Sequence, residues 1–267
     1  MLSASTRAAV ATMPSRICDV LLTITMQESE IFMTMTASKP MTLSKKTLEI
    51  LKNFAAINSG IIVNEGNTLN TLSSTKTIMA EARVNEKFTK TFAIWDLNKF
   101  LGTISLFKDP ELLFEDNYIT VKGGKSSVRY YYCDPRLVTS TNKKISIPTT
   151  VVEFDLSGKD FADLMKAASV LQLSNLCVCS SEDGSRIEIM AKDISDRTSN
   201  TYSVDVGENT TGSQFEFVID VDNLKILPGD YTVKISEKVV SQFTNKNEPL
   251  QYWIALNANS SYDKSEE

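Results

Sequence analysis

The sequence predicts a mixed α+β protein that is built twice from one structural unit. Short runs rich in β-branched and aromatic residues alternate with turn residues, and longer segments between them place apolar residues at helical spacing. Both kinds of segment recur in the same order in the second half of the chain. The 267 residues, 42% of them hydrophobic, are enough for two units that each bury a core.

The first half is predicted to contain two amphipathic helices. One follows Ser44, a plausible N-cap, with its apolar residues at Leu48, Leu51, Phe54 and Ala55. The other is DLNKFLGTISLF, which begins at Asp96 as its N-cap. Strands are predicted in GIIVNEG, TLNTLSS, TIMAEARV, TFAIW, ELLFED and the hairpin YITVKGGKSSVRYYY.

The turn of that hairpin falls at Gly123 and Gly124. The string GGKSS resembles part of a phosphate-binding loop, but Ile119 stands where such a loop needs its first glycine. A turn is therefore the better interpretation.

The second half repeats the order of elements. VVEFDL is a predicted strand, GKDFADLMKAASVLQL a helix, and LCVCSSEDGSRIEIMAKDI a hairpin that turns at Asp183 and Gly184. TYSVDV, FEFVID, YTVKISEKVV and YWIALNA are further strands, and VDNLKIL is predicted to match the second helix of the first half. A shift of 114 residues places Lys45 on Lys159, and a shift of 124 places Asp96 on Asp220.

The order of the predicted elements divides the chain into five parts. The predicted domains are 41–133 and 149–258, joined by a polar, proline-bounded connector at 134–148. Residues 259–267 form an acidic tail that we expect to be solvated and disordered. Residues 1–40 show no sustained period, which fits either a disordered extension or an upstream segment ahead of a true start at Met41.

Composition excludes several classes of function. The net charge of -5 argues against a protein that coats nucleic acid with its whole surface, so any such contact needs a segregated basic face. The absence of histidine removes the usual Ser-His and Cys-His nucleophile pairs. Cys18, Cys133, Cys177 and Cys179 have no paired metal-ligand spacing, so we expect reduced thiols, no metal and no cofactor.

Lysines recur on the first helix of each half. At 100° per residue, Lys45 and Lys52 lie within about 20° of each other, opposite the apolar stripe. Lys159 and Lys166 have the same spacing. On one helix this pattern is typical of an ordinary solvated face. Its recurrence in an acidic protein favours one shared basic surface, which Lys46, Lys99 and Lys225 extend.

From Met41 onward, nearly the whole chain resembles the DNA polymerase sliding clamp of T4-like bacteriophages. The resemblance is carried by MTLSKKTLEILKNFAAINSGI, AIWDLNKFLGTISL, FEFVIDVDNLKILPGDYTV and YWIALNA. It implies the duplicated processivity-factor fold, with two domains per subunit, outer antiparallel sheets and inner helices. It also implies a homotrimeric ring around duplex DNA in the cytoplasm of an infected bacterial host, with Lys45, Lys46, Lys52, Lys99, Lys159, Lys166 and Lys225 facing the DNA.

The same resemblance implies partners. These are sequence-independent duplex DNA, further copies of the chain, the replicative DNA polymerase and an ATP-dependent clamp loader, with late-transcription factors left open and no membrane. Family partners insert short apolar peptides into a pocket near the connector, so Leu137, Val138 and Ile147 are candidates by location. Ordinary packing explains these three residues equally well.

Two other functions remain open at this point. A two-domain interaction protein of the same fold need not encircle DNA. An enzyme without histidine would need paired carboxylates such as Asp220 with Asp222 or Asp193 with Asp196. Because these carboxylates stand at turns and caps, a structural role already accounts for them.

Overall fold

The computed structural model describes residues 39–141, 147, 149–237 and 240–263. Within these ranges lie three α-helices, α1 (Lys45–Ile57), α2 (Leu97–Ser105) and α3 (Gly158–Leu171). The strands are β1 (Ile61–Val63), β2 (Gly66–Leu72), β3 (Ile78–Phe88), β4 (Phe92–Ile94), β5 (Glu111–Phe114), β6 (Tyr118–Gly123), β7 (Ser126–Tyr131), β8 (Thr150–Leu156), β9 (Asn175–Ser180), β10 (Arg186–Lys192), β11 (Tyr202–Glu208), β12 (Gln214–Asp220), β13 (Tyr231–Ser236), β14 (Val240–Asn245), β15 (Leu250–Ala255) and β16 (Ser261–Asp263).

Every strand pairing is antiparallel. The six-stranded sheet has the order β2-β3-β15-β14-β13-β8, so it draws strands from both halves of the chain. The second half also forms a five-stranded sheet, β11-β10-β9-β12-β16, and the first half forms β5-β6-β7 and the pair β1-β4. Because the two halves share this sheet, the described residues from Met41 onward form one compact unit.

The predicted caps and turns start and stop these elements. Ser44 Oγ accepts the Thr47 amide at the start of α1, at 3.1 Å, and Asp96 accepts the Lys99 amide at the start of α2, at 2.9 Å. Gly124 and Gly184 turn the β6–β7 and β9–β10 hairpins with φ of 59° and 73°. The glycine-rich string is therefore a hairpin turn, as predicted.

Equivalent hydrogen bonds confirm the internal repeat. Leu97 N donates to Ser59 O at 2.7 Å in the first half, and Val221 N donates to Ser174 O at 2.9 Å in the second. Likewise Cys133 N donates to Ala93 O and Asn257 N to Val218 O. The same contacts therefore join the same elements twice.

The repeat shifts by one residue where the second helix begins. Ile94 lies opposite Ile61, and Ile219 lies opposite Leu176, so the strand register matches Ile94 to Ile219 and not to Val218. The first half has one extra residue between Ile94 and Asp96, so the match of Ile94 to Val218 is wrong. Asp96 and Asp220 still match, as the residues directly before Leu97 and Val221. Asp96 caps a helix, whereas Asp220 makes no side-chain cap.

The predicted second helix of the second half is a single 3-10 turn, Val221–Asn223. Beyond it, Leu224 and Ile226 are buried with Lys225 exposed between them. This alternation fits extended chain and not a helix. Pro228, which lacks an amide donor, comes soon afterwards.

The expectation of a disordered tail is wrong for residues 261–263. They form β16, which pairs with β12 because Tyr262 stacks on Phe215 and Phe217. The rest of that tail, residues 264–267, and the predicted extension up to residue 38 lie outside the described residues. No helix in the described ranges is long and apolar enough to span a membrane. The predicted domain boundaries stay predictions.

Candidate functional site

Helix α1 turns one face inward and a basic face to solvent. Its buried side is formed by Thr47, Ile50, Leu51, Phe54, Ala55 and Ile57, which pack toward β2 and β3. Lys45 and Lys52 are exposed on the other side. Helix α3 repeats this arrangement, with Lys159 and Lys166 exposed and its buried residues facing β10 and β11.

Most of these lysines have no counter-charge in the described part of the chain. Across the described residues, no carboxylate lies within salt-bridge distance of Lys45, Lys52, Lys99, Lys166 or Lys225. Lys159 pairs with Asp163 at 3.5 Å, but its side chain is 85% exposed. A pair this open contributes little to stability, so Lys159 can exchange it for a phosphate.

Lys46 is held differently from the other six. Its Nζ lies 3.6 Å from a Glu49 oxygen and 3.3 Å from a Glu248 oxygen, and its side chain is 39% exposed. Glu248 belongs to the β14–β15 hairpin of the second half. Lys46 therefore ties α1 to that hairpin, a role that its place in the sequence did not reveal.

Three lysines of the first half and Lys225 of the second half lie on neighbouring elements. Helix α1 packs against α2, which carries the exposed Lys99. The backbone of Lys225 reaches α1 through a hydrogen bond from Asn53 Nδ2 to its carbonyl, at 3.1 Å. The structure thus brings Lys45, Lys52, Lys99 and Lys225 onto adjoining elements, while Lys159 and Lys166 lie on a separate helix.

A carboxylate from β3 fixes the start of α1. Glu86 accepts hydrogen bonds from the Ser44 amide and from Thr47 Oγ1, each at 2.5 Å. Burial alone would raise the pKa of Glu86, but these two hydrogen bonds outweigh it and lower the pKa below 4.5. Its negative charge also lies at the positive end of the helix dipole. Glu86 therefore positions α1, the helix that carries Lys45 and Lys52, on the sheet.

We expect Glu86→Gln to lower the free energy of unfolding by about 1 kcal/mol at neutral pH, since it weakens charge-assisted hydrogen bonds to the helix start. Because folding depresses the pKa of Glu86, its contribution is present above pH 4.5 and is lost as pH falls through the folded-state pKa. The difference from the parent protein should therefore shrink in acid, as measured by denaturant unfolding across this range. Glu81→Gln, on the same strand, is the control, and an equal, pH-independent loss in both variants would contradict this role.

Hydrogen bonds from one asparagine hold the start of the connector in place. Asn58 Nδ2 donates to Leu72 O at 2.8 Å and to Thr139 O at 2.9 Å, so the connector starts beside the end of β2. Val138 is buried, and a Cβ at Gly60 would come within 3.1 Å of its side chain. Leu137 is 60% exposed and Ile147 is half-buried. Among the three candidates, Val138 anchors the connector, and Leu137 offers an apolar contact to solvent.

Strands β7 and β11 are two of the edge strands, and in the described part of the chain their outer edges are unpaired. Large exposed apolar side chains flank both of them. Trp95 and Tyr131 belong to the β7 side of the molecule, and Val170, Leu171 and Tyr202 to the β11 side. Arg129 is exposed on β7, whereas β11 carries Asp205 and Glu208, so the two edges also differ in charge.

Three of the four carboxylates proposed for an enzyme, Asp193, Asp196 and Asp220, accept hydrogen bonds that hold nearby parts of the chain. Asp193 accepts the Ser195 amide and Asp196 the Thr198 amide, both at 2.8 Å, and hydrogen bonds with these residues lower the pKa of each carboxylate. Asp220 accepts from Asn175 and Asn257 at 3.0 Å each. A lowered pKa is the opposite of what a general acid needs at neutral pH.

The described cysteines, Cys133, Cys177 and Cys179, are free thiols. Burial raises the pKa of Cys177 and raises that of Cys179 to about 11, so both stay protonated at neutral pH. No group of three or more potential metal ligands occurs in the described part of the chain.

Comparisons with known proteins agree on one kind of molecule. The family described as DNA polymerase processivity factor matches residues 43–147, and the family described as gp45 sliding clamp, C terminal, matches residues 153–258. The sliding clamp of Vibrio phage KVP40 is 32% identical over 222 residues, which cover 82% of this chain and all of that protein. The sliding clamp of Escherichia phage RB69 is 31% identical, covering 84% of this chain and all of that one.

The fold also matches a solved structure. A PCNA from A. fulgidus, bound to the C-terminal region of FEN-1, superposes with a TM-score of 0.63 at 15% identity, over 85% of this chain and all of that one.

Proposed function

Because the chain belongs to the sliding clamp family of DNA polymerase processivity factors, we propose that it encircles duplex DNA as a homotrimeric ring and tethers the replicative polymerase during synthesis. The observation that carries this proposal is the set of exposed lysines on α1, α2 and α3, which have little or no counter-charge among the residues that the structure describes. In the ring these lysines face the DNA.

Lysine suits a protein that must slide. It attracts phosphate as a flexible point charge, whereas arginine holds phosphate in a fixed bidentate geometry. Contacts to phosphate alone carry no sequence information. The DNA-facing lysines of this proposal are Lys45, Lys52, Lys99, Lys159, Lys166 and Lys225, with Lys46 serving mainly as a tie to Glu248.

The free edges of β7 and β11 supply a contact that closes a ring. An unpaired strand edge is a template for pairing with another chain. Because the two edges are different surfaces, pairing β7 of one copy with β11 of the next is head-to-tail, and such a contact closes when the rotation between copies fits. The exposed aromatic side chains on both sides and the opposite charges of Arg129 and Glu208 favour this pairing, whereas Asp205 is already paired with Arg186.

Sedimentation equilibrium or native mass spectrometry tests the assembly directly. We expect a trimer at micromolar concentration, built from 29.6 kDa chains. A strict monomer under these conditions would favour the alternative of a non-encircling interaction protein with the same fold.

The polymerase and an ATP-dependent clamp loader are the proposed protein partners, in the cytoplasm of an infected bacterium. We propose that their apolar peptides bind beside the connector, where Leu137 is exposed and the chain is fixed to β2 by Asn58. The role is that of a tether without chemistry of its own, since the candidate carboxylates already hold loops together.

We expect Leu137→Asp to weaken polymerase binding at least tenfold, because it places a charge in an apolar contact. Surface plasmon resonance with the cognate polymerase measures the affinity. Leu106→Asp is a matched control, since Leu106 is also an exposed leucine, at 72%, and lies at the end of α2. Equally weakened binding in both variants would remove Leu137 from the partner surface.

A further inference from the structure

We infer that Asn53 is a positioning residue that presents Lys225, from the second half of the chain, to the same run of phosphates as Lys52. This inference rests on the proposed function, because it concerns how the DNA-facing surface is continued from one half to the other.

Asn53 bridges the two halves with both ends of its side chain. Its Nδ2 donates to the carbonyl of Lys225 at 3.1 Å, and its Oδ1 accepts from the Tyr252 hydroxyl at 2.8 Å. Asn53 lies on α1, next to the exposed Lys52. One amide therefore contacts the Lys225 backbone from the helix that carries Lys52.

The hydroxyl that orients Asn53 is itself fixed. Tyr252 is fully buried in β15 of the shared sheet, and its oxygen also accepts the Leu227 amide at 3.2 Å. Tyr231 donates to the Leu227 carbonyl at 2.6 Å. The segment after Lys225 is thereby held to the same tyrosine that holds Asn53, so the amide cannot turn without losing its hydrogen bonds to Tyr252 and to Lys225.

Lys225 needs such a support because its own segment is irregular. The 3-10 turn ends at Asn223, and β13 begins only at Tyr231. Leu224 and Ile226 anchor the segment in the core, and Lys225 points to solvent between them. The hydrogen bond from Asn53 joins the Lys225 backbone to α1.

A double-mutant cycle on the full chain tests this role. The probe is a short labelled duplex, and the readout is the slope of log affinity against log salt, whose magnitude decreases by about 0.9 for each phosphate that the protein no longer neutralises. We expect Asn53→Ala to lower the magnitude of the slope, by an amount no larger than that caused by Lys225→Ala. Combining the two changes should lower it no further than Lys225→Ala alone, whereas Asn53→Ala and Lys52→Ala should be additive.

Tyr252→Phe is a second variant that leaves Asn53 in place and removes the hydroxyl that orients it. We expect a smaller change in slope in the same direction, with the trimer retained in sedimentation. An unchanged slope in Asn53→Ala, or full additivity with Lys225→Ala, would overturn the inference and leave Asn53 a purely structural residue. If Lys52→Ala and Lys225→Ala themselves left the slope unchanged, the proposed DNA face would be wrong instead.

Discussion

Reversing the charge of Lys45, Lys52, Lys159 and Lys166 together, each to glutamate, is expected to abolish processive synthesis while leaving the trimer intact. The four side chains are exposed on α1 and α3, away from the buried faces of both helices, so the fold should tolerate the change. Each phosphate that a lysine no longer neutralises lowers the salt dependence of DNA binding by about 0.9 in slope, and each new carboxylate also repels phosphate. Product length in primer extension with the cognate polymerase and loader measures the effect.

The matched control places the same charge change elsewhere. Lys76, Lys87, Lys108 and Lys122 are exposed lysines on strands and loops, none on a helix. Their joint replacement by glutamate should leave product length close to that of the parent protein. If both quadruple variants fail equally, net charge and not the helix surface decides the activity.

Tyr131→Asp is expected to convert the ring to monomers, and Tyr202→Asp is expected to do the same from the other side of the contact. Tyr131 is 63% exposed on β7, and Tyr202 is 37% exposed at the start of β11. A charge buried at either place in the assembled contact costs several kcal/mol, enough to dissociate the ring at micromolar concentration.

Mixing the two variants makes this prediction more specific. Each variant keeps one intact edge, so the mixture should form a heterodimer through one unmodified contact and go no further. Analytical ultracentrifugation distinguishes monomer, dimer and trimer. If both single variants remain trimeric, then the ring closes through other surfaces.

The elements that could be predicted from sequence are those specified by neighbouring residues. Ser44 and Asp96 predicted the starts of α1 and α2, and Gly124 and Gly184 predicted two hairpin turns. Each of these residues acts on backbone groups a few positions away, so its effect is visible in a short window of sequence. The repeat was equally visible, because both halves use the same local patterns.

Several residues of the site could not be predicted from a short window of sequence, because their contacts are distant along the chain. Glu86 contacts Ser44 across 42 positions, and Tyr252 contacts Asn53 across 199. Lys46 resembles its neighbours on the helix in sequence, and only the fold places Glu248 beside it. The segment around Val221 also has apolar spacing compatible with a helix, but burial of Leu224 and Ile226 selects an extended chain.

By itself, the sequence determined the duplicated α+β plan, the three helices and the exposure of the predicted lysines on them except Lys46. These features follow from hydrophobic periodicity, caps and turns, which operate within a few residues. Only the tertiary structure decided that one six-stranded sheet joins the halves, that β7 and β11 keep free edges, and which lysine is tied to a carboxylate. These outcomes depend on pairings between distant strands, and a strand's own residues fix which face is buried but not which partner lies beside it.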